Sequence, residues 1–340
     1  MTPRSNGKSI SLAHGGGGKM SGRLIRDLVL PRLNRGKLAA LADSVVLSDF
    51  GDKIAFTTDS FVVAPIFFPG GDIGSLSVHG TCNDLACSGA RPTFLSVGLI
   101  LEEGFPMDDL TRILDSMSSA ADTCGVEIVT GDTKVTPKGA TDRIFINTAG
   151  IGKVVSSVEL TPSRIEPGDI IIVSGQVGDH GMAVMLSRAE FSFDFDVKSD
   201  SAGVWPIVER LLKLGGALKF LRDPTRGGLS ATLNEIATMT NLTVSVDETL
   251  IPVSPQVSAA AEILGINPLE AANEGKIVAV IDGRYAAQAF DMLKDCPQAS
   301  QACAIGTMTS ETKPRVVIKT RIGGSRILAE PSGELLPRIC

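Results

Sequence analysis

The sequence predicts an α/β (α+β) protein of two domains, and three features of the chain carry that prediction. Its 340 residues exceed one ordinary core, since domains hold roughly 100–200 residues. A content of 43% hydrophobic and 21% charged residues, with 36 glycines, is that of a globular chain with many tight turns. Short apolar runs alternate with stretches of helical spacing. The pattern breaks over 159–169, where Pro162, Pro167 and Gly168 precede a new apolar run.

In chain order, a glycine-rich arm (1–40) comes first, with Gly15 to Gly18 ahead of a helix over 21–30 that Pro31 ends. The first domain, 41–160, reads as strands over 45–48, 54–58, 93–101 and 144–153. Helices over 73–88 and 107–124 end at Gly89 and Gly125 and make β-α-β units. The second domain, 161–325, opens on a buried strand over 170–174. Helices follow over 179–188, 204–214 and 227–239, and strands over 243–246, 276–281 and 316–319. The tail, 326–340, carries Pro331, Gly333 and Pro337 and reads as an extended, flexible arm. No fixed-period repeat is visible.

With 38 acidic against 32 basic residues the net charge is -6, which disfavours a nucleic-acid partner. No apolar run reaches the roughly eighteen residues of a membrane span, and the first residues lack the apolar stretch of a signal peptide. A cytoplasmic protein without membrane contact is expected. The six cysteines, at 82, 87, 124, 296, 303 and 340, form no CxxC pair and match no zinc spacing. Five sit among small apolar residues and read as buried thiols. Cys340, the last residue, reads as a reactive thiol on the arm.

Four short motifs suggest chemistry: Thr57-Thr58-Asp59, Asn83-Asp84, Gly131-Asp132-Thr133-Lys134 and Asp223-Pro224-Thr225-Arg226-Gly227-Gly228. Carboxylates at strand ends, among glycines that free backbone N–H groups, are what Mg²⁺ on a polyphosphate needs: hard oxygen ligands from few side chains. Turn and capping roles explain any one of them equally well. Neither a Walker A nor a GxGxxG pattern is present, because Met20 follows Gly18-Lys19 and Ala13 stands at the first-glycine position. Gly227 and Gly228 open a helix and are expected to let phosphate approach its positive end, with Arg226 as a forked cation. Glu274, in Asn273-Glu274-Gly275-Lys276, stands where a strand begins and could act as a general base.

Taken together, the segments LAHGGGGKMSGRLI (12–25), TTDSFVV (57–63), GTCNDLACSGARP (80–92), GDTKV (131–135), DPTRGGL (223–229), NEGKI (273–277) and PRIC (337–340) resemble the HypE family of hydrogenase maturation factors. That family of carbamoyl dehydratases belongs to the superfamily of aminoimidazole ribonucleotide synthetase and selenophosphate synthetase. The resemblance implies a PurM-like homodimer binding ATP and Mg²⁺ between its domains. It also implies a carbamoyltransferase partner, HypF, and delivery of the product through a HypC–HypD complex.

Matched by motif, the resemblance makes Asp59, Asp84 and Asp132 metal or phosphate residues, with Asn83 and Thr133 beside them. Lys134 and Glu274 become the groups nearest the carbamoyl thioester, Asp223 to Gly228 a phosphate-side loop, and Cys340 the carrier of the substrate. His14 and Gly15, Gly16, Gly17 and Gly18 stand where a selenophosphate synthetase presents cysteine or selenocysteine, which counts against selenide chemistry. From Glu330, ten residues span at most ~33 Å, enough for Cys340 to reach a cleft. Two other readings are a small-molecule ATP-dependent synthetase or kinase, such as thiamine-phosphate kinase, and a non-catalytic thiol carrier. The first needs no terminal thiol, and the second leaves Asp59, Asp84, Asp132 and Glu274 without a task.

Overall fold

The computed structural model describes residues 18–23, 26–27, 45–47, 53–188 and 196–331. Cys340, His14, Gly15, Gly16 and Gly17, with most of the two arms, lie outside the described residues. The first described helix, α1 (Gly18–Arg23), overlaps only the start of the helix expected over 21–30.

The first domain is built on a five-stranded sheet. Its strands are β1 (Val45–Leu47), β2 (Ile54–Phe61), β5 (Ala90–Glu102), β6 (Glu127–Thr136) and β7 (Ile144–Val154), in the order β1-β2-β7-β5-β6. A small β3 (Phe67–Phe68) and β4 (Gly71–Asp72) hairpin lies outside it. Residue alternation along β2 explains its placement: Ala55, Thr57 and Phe61 are buried while Phe56, Thr58 and Ser60 are exposed. The expected β-α-β units are present. β5 and β6 pair in parallel across helix α3 (Met107–Cys124), and helix α2 (Ile73–Cys87) crosses from β2 to β5 with antiparallel β7 between them.

The two helices differ in what they bury. α3 is amphipathic: Ile113, Met117, Ala120 and Ala121 are its buried residues, and Gly125, in the left-handed conformation at φ 67°, ends it. α2 is buried almost all round. Asp72 and Ser75 form a reciprocal cap at its start, and its fully buried Ile73 and Leu76 each contribute about 1.5–3 kcal/mol. One side of α2 packs on the first sheet, the other on second-domain elements, so Ala86 and Cys87 share a core cluster with Ile207, Leu218 and Ile277. Its residues therefore stand between the domains.

The second domain holds a seven-stranded sheet. Added to β8 (Ile170–Val173), β9 (Leu218–Arg222) and β10 (Thr243–Asp247) are β11 (Val278–Ile281), β12 (Cys303–Met308), β13 (Arg315–Lys319) and β14 (Ser325–Ile327). Their order is β14-β13-β10-β12-β8-β11-β9, and only β10 and β13 pair in parallel. Helices α4 (Asp179–Leu186), α5 (Trp205–Leu211) and α6 (Gly228–Thr240) match the expected ones to within a few residues. Helices α7 (Pro255–Leu264) and α8 (Ala286–Leu293), and strands β6, β9, β12 and β14, are elements beyond that reading. β6 offers it no signal, because nine of its ten residues are exposed and none forms a buried stripe.

The described chain ends beside the site's supporting helix. Ser230 Oγ donates to Ala329 O at 3.1 Å and Asn234 Nδ2 to Leu328 O at 3.1 Å, both from the first half of α6. The base of the glycine arm is there too, with Lys19 N–H donating to Pro331 O at 3.4 Å.

Candidate active site

Between the two domains lies a cavity of about 220 Å³. From the first domain, β2 supplies Thr57, Thr58 and Asp59, and α2 supplies Gly80 and Asp84. From the second come Arg222, Asp223, Thr225 and Arg226 at the β9–α6 turn, and Glu274 just before β11. Four carboxylates and two guanidiniums thus border one small polar space. Sites for drug-sized ligands are roughly 300–1,000 Å³, so this volume suits a phosphate chain rather than a whole nucleotide.

Local structure explains each position. Thr57 points from β2 toward α2 and its Oγ1 donates to Asp84 Oδ2 at 2.9 Å, which orients that carboxylate. Asp59 lies on the same face, since inward residues alternate along the strand. Its carboxyl is pushed up by burial, against the pull of Arg226 and the Ser60 N–H. Burial raises Asp223 to about 6; Arg222 opposes the rise and the charge of Asp59 adds to it. The carboxylates thus disfavour one another's ionisation, and a bound cation would relieve both.

Asn83, next to Asp84, is not among the residues that border the cavity. It is 1% exposed and its amide joins the domains. Nδ2 donates to Ala202 O and to Glu274 O, each at 3.0 Å, and Oδ1 accepts from Val204 N–H at 2.8 Å. Asn273 acts similarly at the other end of the turn. Its Nδ2 donates to Pro224 O at 2.9 Å and its Oδ1 accepts from Gly178 N–H at 2.7 Å, which ties the Glu274 turn to the Asp223–Arg226 turn. Glu274 itself is only 3% exposed.

The two glycines expected at phosphate have a packing reason of their own. Gly227 and Gly228 take φ of 76° and 58°, a region that side chains rarely adopt, and a Cβ on Gly228 would collide with the carbonyls of Leu269 and Ala271. The cavity wall includes Thr225 and Arg226 and stops before them.

Asp132, Thr133 and Lys134 stand apart within one chain. Asp132 pairs in register with Gly98 of β5, three strand spacings from β2, or about 14 Å. Gly98 aligns with Asn147 and Asn147 with Ser60, so Asp132 belongs to the row facing away from α2, opposite to Asp59. Lys134 Nζ lies 3.0 Å from Asp132 Oδ2, with both side chains about two-thirds exposed. The hydrogen bond from Lys134 holds the Asp132 carboxyl below its ordinary value. Among the described residues no cluster of three or more His, Cys, Asp or Glu is placed to hold a metal ion on its own. Sequence reasoning had Thr225 within the Asp223–Gly228 motif but missed Gly80, Arg222 and the clasp around Glu274, made from both domains. The last is made by residues 74 and more positions away, which leave no local pattern.

Comparison with known proteins agrees with the architecture. The model of the AIR synthase related protein N-terminal domain matches residues 41–154, and that of the C-terminal domain residues 166–319. The chain is similar to carbamoyl dehydratase HypE of Rhizobium leguminosarum bv. viciae, with 46% identity over 337 residues, 99% of this chain and 96% of that protein. A crystal structure of HypE in complex with ATP is 44% identical, with a TM-score of 0.81 over 98% of this chain and 100% of that one. HypE from a crystal structure of a HypE–HypF complex gives 45% and 0.86 over 91% and 99%. In sequence over almost its whole length, and in fold, the chain belongs to the HypE family of carbamoyl dehydratases.

Proposed function

We propose that this chain is the ATP-dependent carbamoyl dehydratase of [NiFe]-hydrogenase maturation, acting on a carbamoyl group carried by its own Cys340. The observation that carries the reading is the inter-domain cavity, where Asp59, Asp84 and Arg226 face Glu274 across a space of phosphate size. The units we assign are the arm 1–40, domains 41–160 and 161–325, and the tail 326–340. The change from one sheet to the other between Val154 and Ile170 supports the division.

An amide oxygen is a poor leaving group. Phosphoryl transfer from ATP to the carbamoyl oxygen cures this: the C–O bond then breaks with phosphate departing, and the protons on nitrogen are lost as the nitrile forms. The products are the S-cyano cysteine, ADP and phosphate. Glu274 is the base that takes a proton from nitrogen, and its burial keeps water from the activated group. Arg226 balances charge on the transferred phosphoryl group at the cavity, and Lys134 does so only where a second copy brings it to the phosphates. The cyano group then passes, by way of a HypC–HypD complex, to the hydrogenase iron.

The donor set fits Mg²⁺. Asp59 and Asp84 offer hard oxygen atoms from two elements without closing a cage, and Mg²⁺ keeps waters and substrate phosphates in its shell. When bound there it would supply charge neutralisation on the phosphates. Asp132 stands as a metal or phosphate residue only where a second copy encloses it.

We infer that the second copy lies on the uncovered face of the first sheet, forming a homodimer. Phe56, Ile151 and Phe94 make an apolar row across three strands there, each about 40% exposed, and β6 is a ten-residue edge exposed on both faces. Long uncovered edges of this kind are ordinarily paired or protected. The carbamoyl donor is a HypF carbamoyltransferase. A cytoplasmic setting fits, since the five cysteines among the described residues form no disulfide and Cys340 must stay reduced. Pro331 lies beside α6, and nine further residues reach about 30 Å, enough to bring Cys340 to the cavity.

Intact-protein mass spectrometry with HypF, carbamoyl phosphate and ATP tests the scheme. Cys340→Ala is expected to gain no adduct, and Glu274→Gln to leave the carbamoyl adduct standing, losing water only at a slow residual rate. An adduct on the alanine variant, or ready dehydration in the glutamine variant, would overturn it.

A further inference from the structure

Residues 196–204 run as a strap without regular secondary structure between the domains. Ser199 N–H donates to Pro69 O at 2.8 Å, and Ser199 and Ser201 hydroxyls bond the Nδ1 atoms of His180 and His79 at 2.8 and 2.9 Å. Asp200 sits at the strap's centre with its side chain 4% exposed. No part of it borders the cavity.

Its carboxylate is nevertheless directed at the catalytic turn. Glu274 N–H donates to Asp200 Oδ1 at 3.0 Å and Gly275 N–H to Oδ2 at 3.2 Å. Lys276 Nζ lies 3.2 Å from Oδ2, so three consecutive residues of the turn are bound by one carboxylate. Meanwhile the Glu274 carbonyl accepts from Asn83 Nδ2 and, at 3.3 Å, from Ala202 N–H. The peptide of Glu274 is thus held on both sides, its N–H by the strap and its carbonyl by α2. Gly275 has to be glycine, since any Cβ would run into the Asp200 carbonyl. Close packing against the strap is therefore built into the turn.

A charged acceptor is suited to this task. Charge-assisted hydrogen bonds are shorter and roughly twice as strong as neutral ones, and Lys276 compensates the buried anion. Asp179 registers the arrangement: it is raised to about 6, by burial first and then by the charge of Asp200, with Lys276 pulling the other way.

We propose that Asp200 is a positioning residue for the dehydration: by fixing the Glu274 peptide it sets where the base points, without touching the reacting atoms. The inference rests on the reading of Glu274 as the base. A displacement of about 1 Å at a reacting group can cost on the order of 100-fold in rate. Asparagine in place of Asp200 keeps the size but turns a donor toward an N–H, so the turn must shift.

The test is a double-mutant cycle on the full chain, timing loss of water from carbamoylated protein with HypF, carbamoyl phosphate and ATP. Asp200→Asn should slow dehydration about 10–100-fold, while ATP affinity and the yield of carbamoyl adduct stay within twofold. In a Glu274→Gln background, the residual rate should not fall further when Asp200→Asn is added. An equal slowing in both backgrounds, a fall in ATP affinity of similar size, or no slowing at all overturns the positioning role. If Glu274→Gln alone leaves dehydration unchanged, it is the base that is wrong, a result the cycle separates from the others. Should the asparagine chain not fold, Asp200→Ser, which retains one acceptor in a smaller side chain, is read by the same criteria.

Discussion

Glu274 and Lys134, the two groups assigned beside the carbamoyl carrier, could hardly be housed more differently. Glu274 is almost fully buried, with its peptide held from two domains. Lys134 is 70% exposed on an edge strand and pairs with Asp132, a neighbour as exposed as itself. One group is oriented by the chain that carries it. The other is exposed in this chain, and on the proposed dimer it would be enclosed by a second copy over β6. On the proposed function, the base is pre-organised within one chain while Lys134 would need a second copy to enclose it, although Arg222 and Arg226 already border the cavity.

Three experiments press on that contrast, in falling order of effect. Lys134→Ala should cost about 10²–10³-fold in dehydration rate, as loss of one charge-stabilising donor does, yet leave the melting temperature unchanged, because an exposed side chain holds nothing together. A matching drop in stability would show that Lys134 is already structural in one chain.

Phe94→Asp attacks the apolar row instead. It should convert the proposed dimer to monomer by light scattering and lower dehydration with it, while ATP still binds with its phosphates at the inter-domain cavity. A dimer that survives the charge moves the interface elsewhere.

The smallest effect concerns the strap. Burial lowers His79 to about 4 from the ordinary 6.5, so the folded state favours the neutral ring. This stabilisation is complete above pH 6.5 and is lost as pH falls toward 4, by about 2 kcal/mol at pH 5. Asp179 and Asp223, both raised to about 6, act oppositely: their contribution grows as pH falls from 6 to 3.8. His79→Asn should therefore gain relative stability on acidification. Melting curves at pH 5 and pH 8 read it, and an unchanged difference between variant and parent would refute the buried neutral ring.

Much of the fold was legible because its elements bury one stripe. β2 alternates, α3 repeats its apolar residues every three to four positions, and β8 is a short continuous apolar run. β6 was not legible, since a strand exposed on both faces has no buried side within its own chain. In the site, Asp59, Asp84, Arg226 and Glu274 were recognisable by motif and do meet. Asn83 also stood out, but nothing local could reveal that its amide faces two carbonyls and an N–H from more than 100 residues away. Asp200 had no motif at all. Its significance comes entirely from a partner 74 residues further on.

The amide of Asn83 has one more consequence. Hinging the domains apart would exchange three hydrogen bonds of a buried group for bonds to water, at a net cost of about 0.5–1.5 kcal/mol each. On the proposed function, the carbamoyl group reaches the cavity on a leash whose length sets its local concentration. Free ureas and amides of the cell, lacking the leash, would on that reading be refused by dilution rather than by recognition.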